Sequence, residues 1–387
     1  MNKKPYIFIS LLTPLLLSSC IQKTGNADFS FEKNSPLIFS EFHRGYSTND
    51  RAVELYNNSD IDIDLSKYSV SIYKQSETKA YINIPLQGIL PARTTYVIAY
   101  DKSSADILTK ADQVTPDLMV DGSWPLSLNH GDKVVDVLGR IGYRYDYSQN
   151  ADIARKKEFL VGREHLNEYD WIIYDADNTN LLGTIDVTMT EEELLLGPKL
   201  TEKDFNTPFI KDGVGGGGAI EVTLGHTSDG DTTTFNISTS DLTEDLSRSE
   251  SVRYFGINTP EIQHGTSIDA QPWGYAAKRY NNEVISGAKR FALQTVAGGS
   301  YRETYGRLLA YVWYSNLSNP RPEDYTCMNF MMVREAYAFL YFASVTDNRY
   351  TMFYKDVSYI NIMKNAETRA KNNGWKIHGE IDPDFNY

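Results

Sequence analysis

Between Pro36 and Gly139 the chain repeats one device: six to eight residues in which apolar and polar side chains alternate, then a break at Asn, Asp, Ser or Gly. The runs are PLIFSEF, AVELYN, YSVSIYK, TTYVIAY and DKVVDVLG. Alternate residues of a strand point to opposite faces, so each run offers one face to a core. Short runs of this kind between turn formers predict a β-sandwich, and they exclude a helical bundle. Tyr68, Tyr73 and Tyr96 fall on the strand period and are expected to pack in or beside the core. His43, His130 and His165 lack metal-ligand spacing and are expected at the surface or in turns.

Four longer stretches carry a family resemblance. IFSEFHRGYSTNDRAVELYNNSDIDIDLSKYSVSIY, LQGILPARTTYVIA, SLNHGDKVVDVLGRIG and the closing REHLNEYDWIIYDADNTNLLGT resemble a lamin tail domain, an immunoglobulin-like module, over about Ser35 to Ile185. The resemblance rests on strands and turns and implies no catalytic group. We delimit this domain at 36–187.

The chain begins MNKKPYIFISLLTPLLLSSC. Lys3 and Lys4, a short apolar run from Tyr6 to Leu17, and then small residues form a secretion signal, and the run is too short for a comfortable bilayer span. Leu17-Ser18-Ser19-Cys20 resembles the bacterial lipobox. That resemblance implies removal of residues 1–19, diacylation of Cys20, a polar tether over 20–35 and a lipoprotein on the extracytoplasmic face of the cell membrane.

With 387 residues and 41% apolar content the chain can bury more than one core. A net charge of −13 excludes a protein that coats nucleic acid through bulk electrostatics. Two cysteines, Cys20 and Cys327, exclude a disulfide framework, and Cys327 is expected to be a small buried hydrophobe. From Glu191 the chain turns acidic, and KDGVGGGGA then places five glycines among Gly213 to Gly218. Such a run predicts a flexible joint, so 188–218 is read as a linker. No Lys-Ser/Thr follows to make it a phosphate cradle.

Strand signals return in AIEVTLGHTSDGDTTTFNI, where Asp-Gly is a hairpin signal, and continue in SVRYFGINTPEIQHG, KRFALQTV and GRLLAYVWY. QPWGYAAKRYNNEVI is an amphipathic helix with Ala276, Ala277, Tyr280 and Val284 on one face. Two further helical segments are expected at Asn329–Tyr341 and Val357–Asn373. The overall expectation is a mainly β protein of two domains: an immunoglobulin-like β-sandwich, then an OB-fold barrel with three helices over 219–387.

Three pieces stand in order in the second domain: DGDT, VRYFGINTPE and YGRLLAYVW. Together they resemble the active-site signatures of the staphylococcal nuclease family over about Ala219 to His378. Phosphodiester hydrolysis needs positive charge where the phosphorus becomes more negative, a hard cation and a base that aims water. Carboxylates and carbonyls suit Ca²⁺, and guanidinium forks match phosphate oxygens. The resemblance implies that Arg253 and Arg307 hold the scissile phosphate and Glu261 positions or deprotonates water. It implies Asp231, Asn258 and the Thr259 carbonyl as the Ca²⁺ shell, Asp229 as a turn or outer partner, and Tyr305 and Tyr341 beside the nucleotide. DNA and RNA are the implied substrates, cut to leave 3′-phosphates.

Two positions depart from the family pattern. Asn258 stands where a ligand aspartate is usual; its amide oxygen can coordinate Ca²⁺ but brings no charge, so metal affinity is expected to fall. Thr304 stands where a lysine is common. A non-catalytic nucleic-acid-binding protein or adhesin is the competing expectation. Residues 219–387 carry 16 basic and 20 acidic side chains, so nucleic acid is held by the two site arginines and stacking aromatics rather than by a basic field.

Overall fold

The computed structural model describes residues 29–148, 151–176, 178–243, 245–263, 269–341 and 352–385. The leader 1–19, Cys20 and the first part of the tether lie outside the described residues. Among the described residues no helix is long and apolar enough to cross a membrane. The protein is mainly β, with few helices.

Ten strands build the first part: β1 (Leu37–Arg44), β2 (Arg51–Asn57), β3 (Tyr68–Ile72), β4 (Ile82–Pro85), β5 (Thr95–Tyr100), β6 (Gln113–Thr115), β7 (Leu126–His130), β8 (Lys133–Leu138), β9 (Ala151–Arg155) and β10 (Trp171–Asp175). They form a six-stranded sheet in the order β10-β9-β1-β2-β5-β6 and a four-stranded sheet in the order β8-β7-β3-β4. Phe39, Phe42, Val53 and Ile98 of the first sheet share one core with Val70, Leu126 and Val135 of the second. Tyr68, Tyr73 and Tyr96 are buried, as their spacing predicts. A buried ion pair spans this core: Arg155 Nη2 donates to Asp136 Oδ2 at 2.7 Å, and both side chains are at most 1% exposed.

A bulge corrects one expectation. The β1–β2 register shifts between Phe39 and Glu41. One inserted residue reverses the alternation, so Leu37, Phe39 and Phe42 all reach the core while Glu41 and His43 take the other face. There Ala52, Val97 and Ala99 of the sheet are covered by Leu182 and by Ile107 of α1 (Ala105–Leu108). His43 is therefore fully buried and not a surface or turn residue. His165 is exposed, and His130 stacks on Tyr68 with ring centroids 4.6 Å apart.

The glycine run is likewise not a free joint. The acidic stretch before it folds as α2 (Glu191–Leu196), closed by a Thr190/Glu193 capping box, and α3 (Glu202–Phe205). Ile210–Lys211 then pairs with Val214–Gly215. The Gly216 amide donates to the Phe209 carbonyl at 2.9 Å and Gly215 to Gly299 at 2.8 Å. A Cβ at Gly218 would lie 1.8 Å from the Thr207 carbonyl oxygen, and one at Gly216 would lie 2.0 Å from that of Pro208. The glycines let two backbones touch, which is the other use of a missing side chain.

The second part is a five-stranded barrel: β11 (Ala219–Asp229), β12 (Thr232–Ile237), β13 (Ser249–Tyr254), β14 (Arg290–Gln294) and β15 (Leu308–Ser315). The order is β13-β12-β11-β14-β15, the short strand Thr326–Cys327 adds beside β15 as a sixth, and parallel pairing of β13 with β15 closes the barrel. This is the OB-fold arrangement expected from the sequence. Phe235, Val252, Leu293, Val312 and Trp313 belong to one buried apolar cluster built on it. α4 (Gly274–Gly287), α5 (Met328–Arg334) and α6 (Tyr359–Asn372) pack around it. The same apolar cluster takes in Ala154, Ile172 and Tyr174 at the sandwich edge with Leu194 of α2 and Ile362 of α6. The segment expected as one helix over Asn329–Tyr341 ends at Arg334, where Ala336 takes a left-handed φ of 58°. Phe339–Leu340 then pairs with Ile257–Asn258.

Cys327 is 1% exposed, and burial raises its thiol to about 12. The thiolate is the reactive form, so the native Cys20→Ser chain should not react with a thiol reagent at pH 8, whereas the urea-unfolded chain should titrate one thiol. Reaction of the native chain at the rate of the unfolded one would show that α5 opens readily.

Candidate active site

The site forms where the β11–β12 hairpin meets the end of β13. Asp229 pairs with Thr232 across the turn, so Gly230 and Asp231 are the two loop residues. The hairpin and metal readings of DGDT thus concern one structure, because the tight turn delivers Asp231 to the barrel rim. Gly230 is required by close approach: a Cβ there would sit 2.7 Å from Thr259 Oγ1 and 2.9 Å from Thr259 Cβ.

Asp231 is 1% exposed. Its Oδ2 accepts the Thr259 amide at 2.9 Å, and its Oδ1 accepts the Thr232 hydroxyl at 3.3 Å and a short contact from Arg253 Nη1. Burial pushes its carboxyl above the usual range, and the Arg253 guanidinium pulls it back. The Arg253 Nη2 donates to Asn258 Oδ1 and, at 3.3 Å, to the Ile257 carbonyl. Oxygens of Asp231 and Asn258 therefore converge on one cationic centre. Asn258 is set there by the pairing of Ile257–Asn258 with Phe339–Leu340.

Arg307 arrives from the turn before β15. Its Nη1 donates to Thr232 Oγ1 at 3.2 Å, so a single hydroxyl separates it from Asp231. Its Nε and Nη2 form a fork on Glu303 at 2.5 and 3.1 Å. That hydrogen-bonded fork raises the arginine above its usual value, with a smaller contribution from Asp231 and Asp229.

Glu261 is half-buried, and its backbone is bracketed by Gln271: its amide donates to Gln271 Oε1 and its carbonyl accepts the Gln271 amide, both at 2.9 Å. A Cβ at Gly274 would lie 2.3 Å from the Glu261 carbonyl, so the start of α4 packs directly on this loop. Tyr305 is 86% exposed, a ring open to solvent beside Arg307. Tyr341 is 45% exposed, and its amide donates to the Gly256 carbonyl at 2.9 Å, next to the Asn258 strand.

The structure brings Asp231, Arg253, Asn258, Thr259 and Arg307 into one connected group. Three supporting residues escaped the sequence reading. Asn281 of α4 is fully buried; its Nδ2 donates to the Asp229 carbonyl at 2.8 Å and its Oδ1 accepts the Tyr254 hydroxyl at 2.9 Å. An amide on the apolar face of an amphipathic helix was the available signal. Glu303 clamps Arg307, a spacing of four residues across a Gly turn, and Gln271 carried no motif at all.

Residues 251–377 match the family model described as Staphylococcal nuclease homologue. The chain is also 36% identical over 102 residues to the SPbeta prophage-derived endonuclease YokF of Bacillus subtilis (strain 168), covering 26% of this chain and 30% of that protein. It is 33% identical over 119 residues to Endonuclease YncB of the same organism, covering 30% of this chain and 49% of that protein. The chain thus spans half or less of the length of these curated relatives. The C-terminal domain is staphylococcal nuclease-like, and both relatives carry the name endonuclease.

Proposed function

We propose that this protein is a calcium-dependent nuclease that hydrolyses phosphodiester bonds of DNA and RNA, held at the extracytoplasmic face of the cell membrane by a lipid on Cys20. The observation that carries the reading is that two guanidinium groups reach Asp231, Arg253 directly and Arg307 through the Thr232 hydroxyl. Two guanidinium forks at one rim are suited to a phosphate gripped from both sides, each fork matching two oxygens. In the free protein Asp231 and Asn258 occupy the Arg253 fork and Glu303 the Arg307 fork, so phosphate oxygens would take over those donors. Charge growing on the phosphate oxygens then meets fixed donors that need no rearrangement of solvent.

Glu261 takes the proton of the attacking water. Its backbone is held by Gln271 and Gly274, which anchors the loop that carries the base. Tyr305, exposed next to Arg307, offers a face on which a base stacks without regard to sequence.

The residues fit a hard cation. Carboxylate and amide oxygens of Asp231 and Asn258 already face one positive centre, the Arg253 guanidinium, and the Thr259 carbonyl would complete an all-oxygen set. When bound, Ca²⁺ would supply Lewis-acid polarisation of a phosphate oxygen. Asn258 contributes no charge to that set.

The test is cleavage of single-stranded DNA and RNA by the purified chain with Ca²⁺ and with chelator. Cleavage that disappears on chelation supports the reading; binding without cleavage overturns it in favour of a nucleic-acid-binding protein. Asn258→Asp should lower the Ca²⁺ concentration for half-maximal activity by about tenfold, since added ligand charge tightens Ca²⁺ sites. An unchanged calcium dependence would remove Asn258 from the metal shell.

A further inference from the structure

Outside the nuclease-like site, three ionisable side chains meet buried in the sandwich without a hydrogen bond among them. Glu41 and His43 lie two apart on β1, on the face to which the bulge turns them. Asp152 comes from β9: the register pairs Glu41 with Ala154 and Phe42 with Ile153, and one step further sets His43 opposite Asp152. One donor atom from each of the three lies within 4.8 Å of the other two. All three residues are at most 1% exposed.

Their hydrogen-bonding capacity is unused. Both carboxylate oxygens of Glu41, both ring nitrogens of His43 and both carboxylate oxygens of Asp152, six buried polar atoms, make no hydrogen bond among the described residues. His43 Nδ1 stands 3.7 Å from Asp152 Oδ2, beyond hydrogen-bond length. Each buried unsatisfied group costs about 1–3 kcal/mol, and native interiors contain few of them. Three of the six, one from each residue, converge on one place and mark a missing partner there. Apolar side chains of Ala52, Val97, Ala99, Ile107 and Leu182 line this side of the sheet, and Lys110 acts on Glu41 through its charge without hydrogen-bonding to it. Glu54, opposite Glu41 on β2, is already engaged, its oxygens accepting the Ser40 hydroxyl and the Gly183 amide, each at 2.6 Å.

We propose that Glu41, His43 and Asp152 form a buried site for a divalent transition-metal ion of the zinc class. One imidazole and two carboxylates suit zinc, whose bonds of about 2.0–2.2 Å put neighbouring ligands of a tetrahedron about 3.3–3.6 Å apart, a small contraction from the present spacing. Calcium wants six to eight oxygens and is disfavoured by imidazole and by a site this closed. The ion joins β1 to β9, beneath the segment that carries Leu182 and Gly183, and its binding energy adds to the stability of the sandwich. It takes no part in phosphodiester cleavage.

The full chain, stripped with chelator, reloaded with zinc chloride and desalted, should retain about one zinc per chain by elemental analysis and melt several degrees higher than the stripped protein. His43→Gln and Asp152→Asn should hold less than about a tenth of an equivalent, because each removes a ligand. Asp231→Asn should retain the full equivalent, which separates this ion from any bound at the nuclease-like site. Should the sandwich variants fail to fold, Co²⁺ added to the stripped wild-type chain gives the second readout, since four-coordinate Co²⁺ produces intense visible ligand-field bands. The proposal is overturned if wild-type protein retains no zinc after desalting, if Co²⁺ produces no such bands, or if folded His43→Gln binds as much zinc as the wild type.

Discussion

Arg307→Ala lowers kcat for cleavage of single-stranded DNA by about 10²–10³-fold, the effect of removing one preorganised donor from a developing oxyanion. The fold should survive the substitution. Arg307 lies a third exposed in its ion pair with Glu303, and pairs of that kind contribute about 0–1 kcal/mol. Arg307→Lys keeps the charge but loses the fork, and should recover only part of the rate. Single-turnover cleavage with saturating Ca²⁺ measures the effect, with the thermal midpoint as the control for folding. Cleavage by Arg307→Ala at the wild-type rate would show that a phosphate is not held between two guanidinium groups. Arg253 makes a less clean probe, because removing it leaves Asp231 buried without its counter-charge.

Asp136→Ala destabilises the protein by about 3–5 kcal/mol, the cost of leaving one member of a buried pair unpaired. Asp136 is fully buried and accepts four donors: the Phe39 amide at 2.9 Å, the Val137 amide at 3.0 Å, the Arg163 amide at 2.8 Å and Arg155 Nη2 at 2.7 Å. Arg155 also donates to the Phe39 and Val161 carbonyls, each at 2.7 Å, and its guanidinium lies 4.4 Å from the centre of the Trp171 ring. Replacing Asp136 strands that charge in an apolar core. The double change Asp136→Ala with Arg155→Met should restore part of the loss, because it removes the charge as well as its partner. Urea denaturation measures both. A loss below about 1 kcal/mol for the single change would mean that water reaches the guanidinium.

The parts legible in the sequence share one property, locality. Alternation in PLIFSEF and AVELYN reports strands because neighbouring side chains must point to opposite faces. The Asp-Gly of DGDT reports a hairpin turn because those residues tolerate its backbone. His43 was misread for the converse reason: one bulged residue between Phe39 and Glu41 reverses which face is buried, and alternation carries no mark of it. The helix expected to reach Tyr341 ends at Arg334, and its continuation instead pairs with Ile257–Asn258. That pairing helps aim the Asn258 amide, and its origin is tertiary.

Residue order alone was enough to set the mainly β character and the closed barrel at the C-terminal end, since each follows from short-range pattern or from motifs that keep their spacing. Three-dimensional packing alone decided that a string of glycines lies pressed against Thr207 and Pro208, that Thr232 bridges Arg307 to Asp231, and that Glu41, His43 and Asp152 meet in the buried interior. Each of these joins positions brought together only when strands distant along the chain come to lie side by side, and such proximity has no local signature.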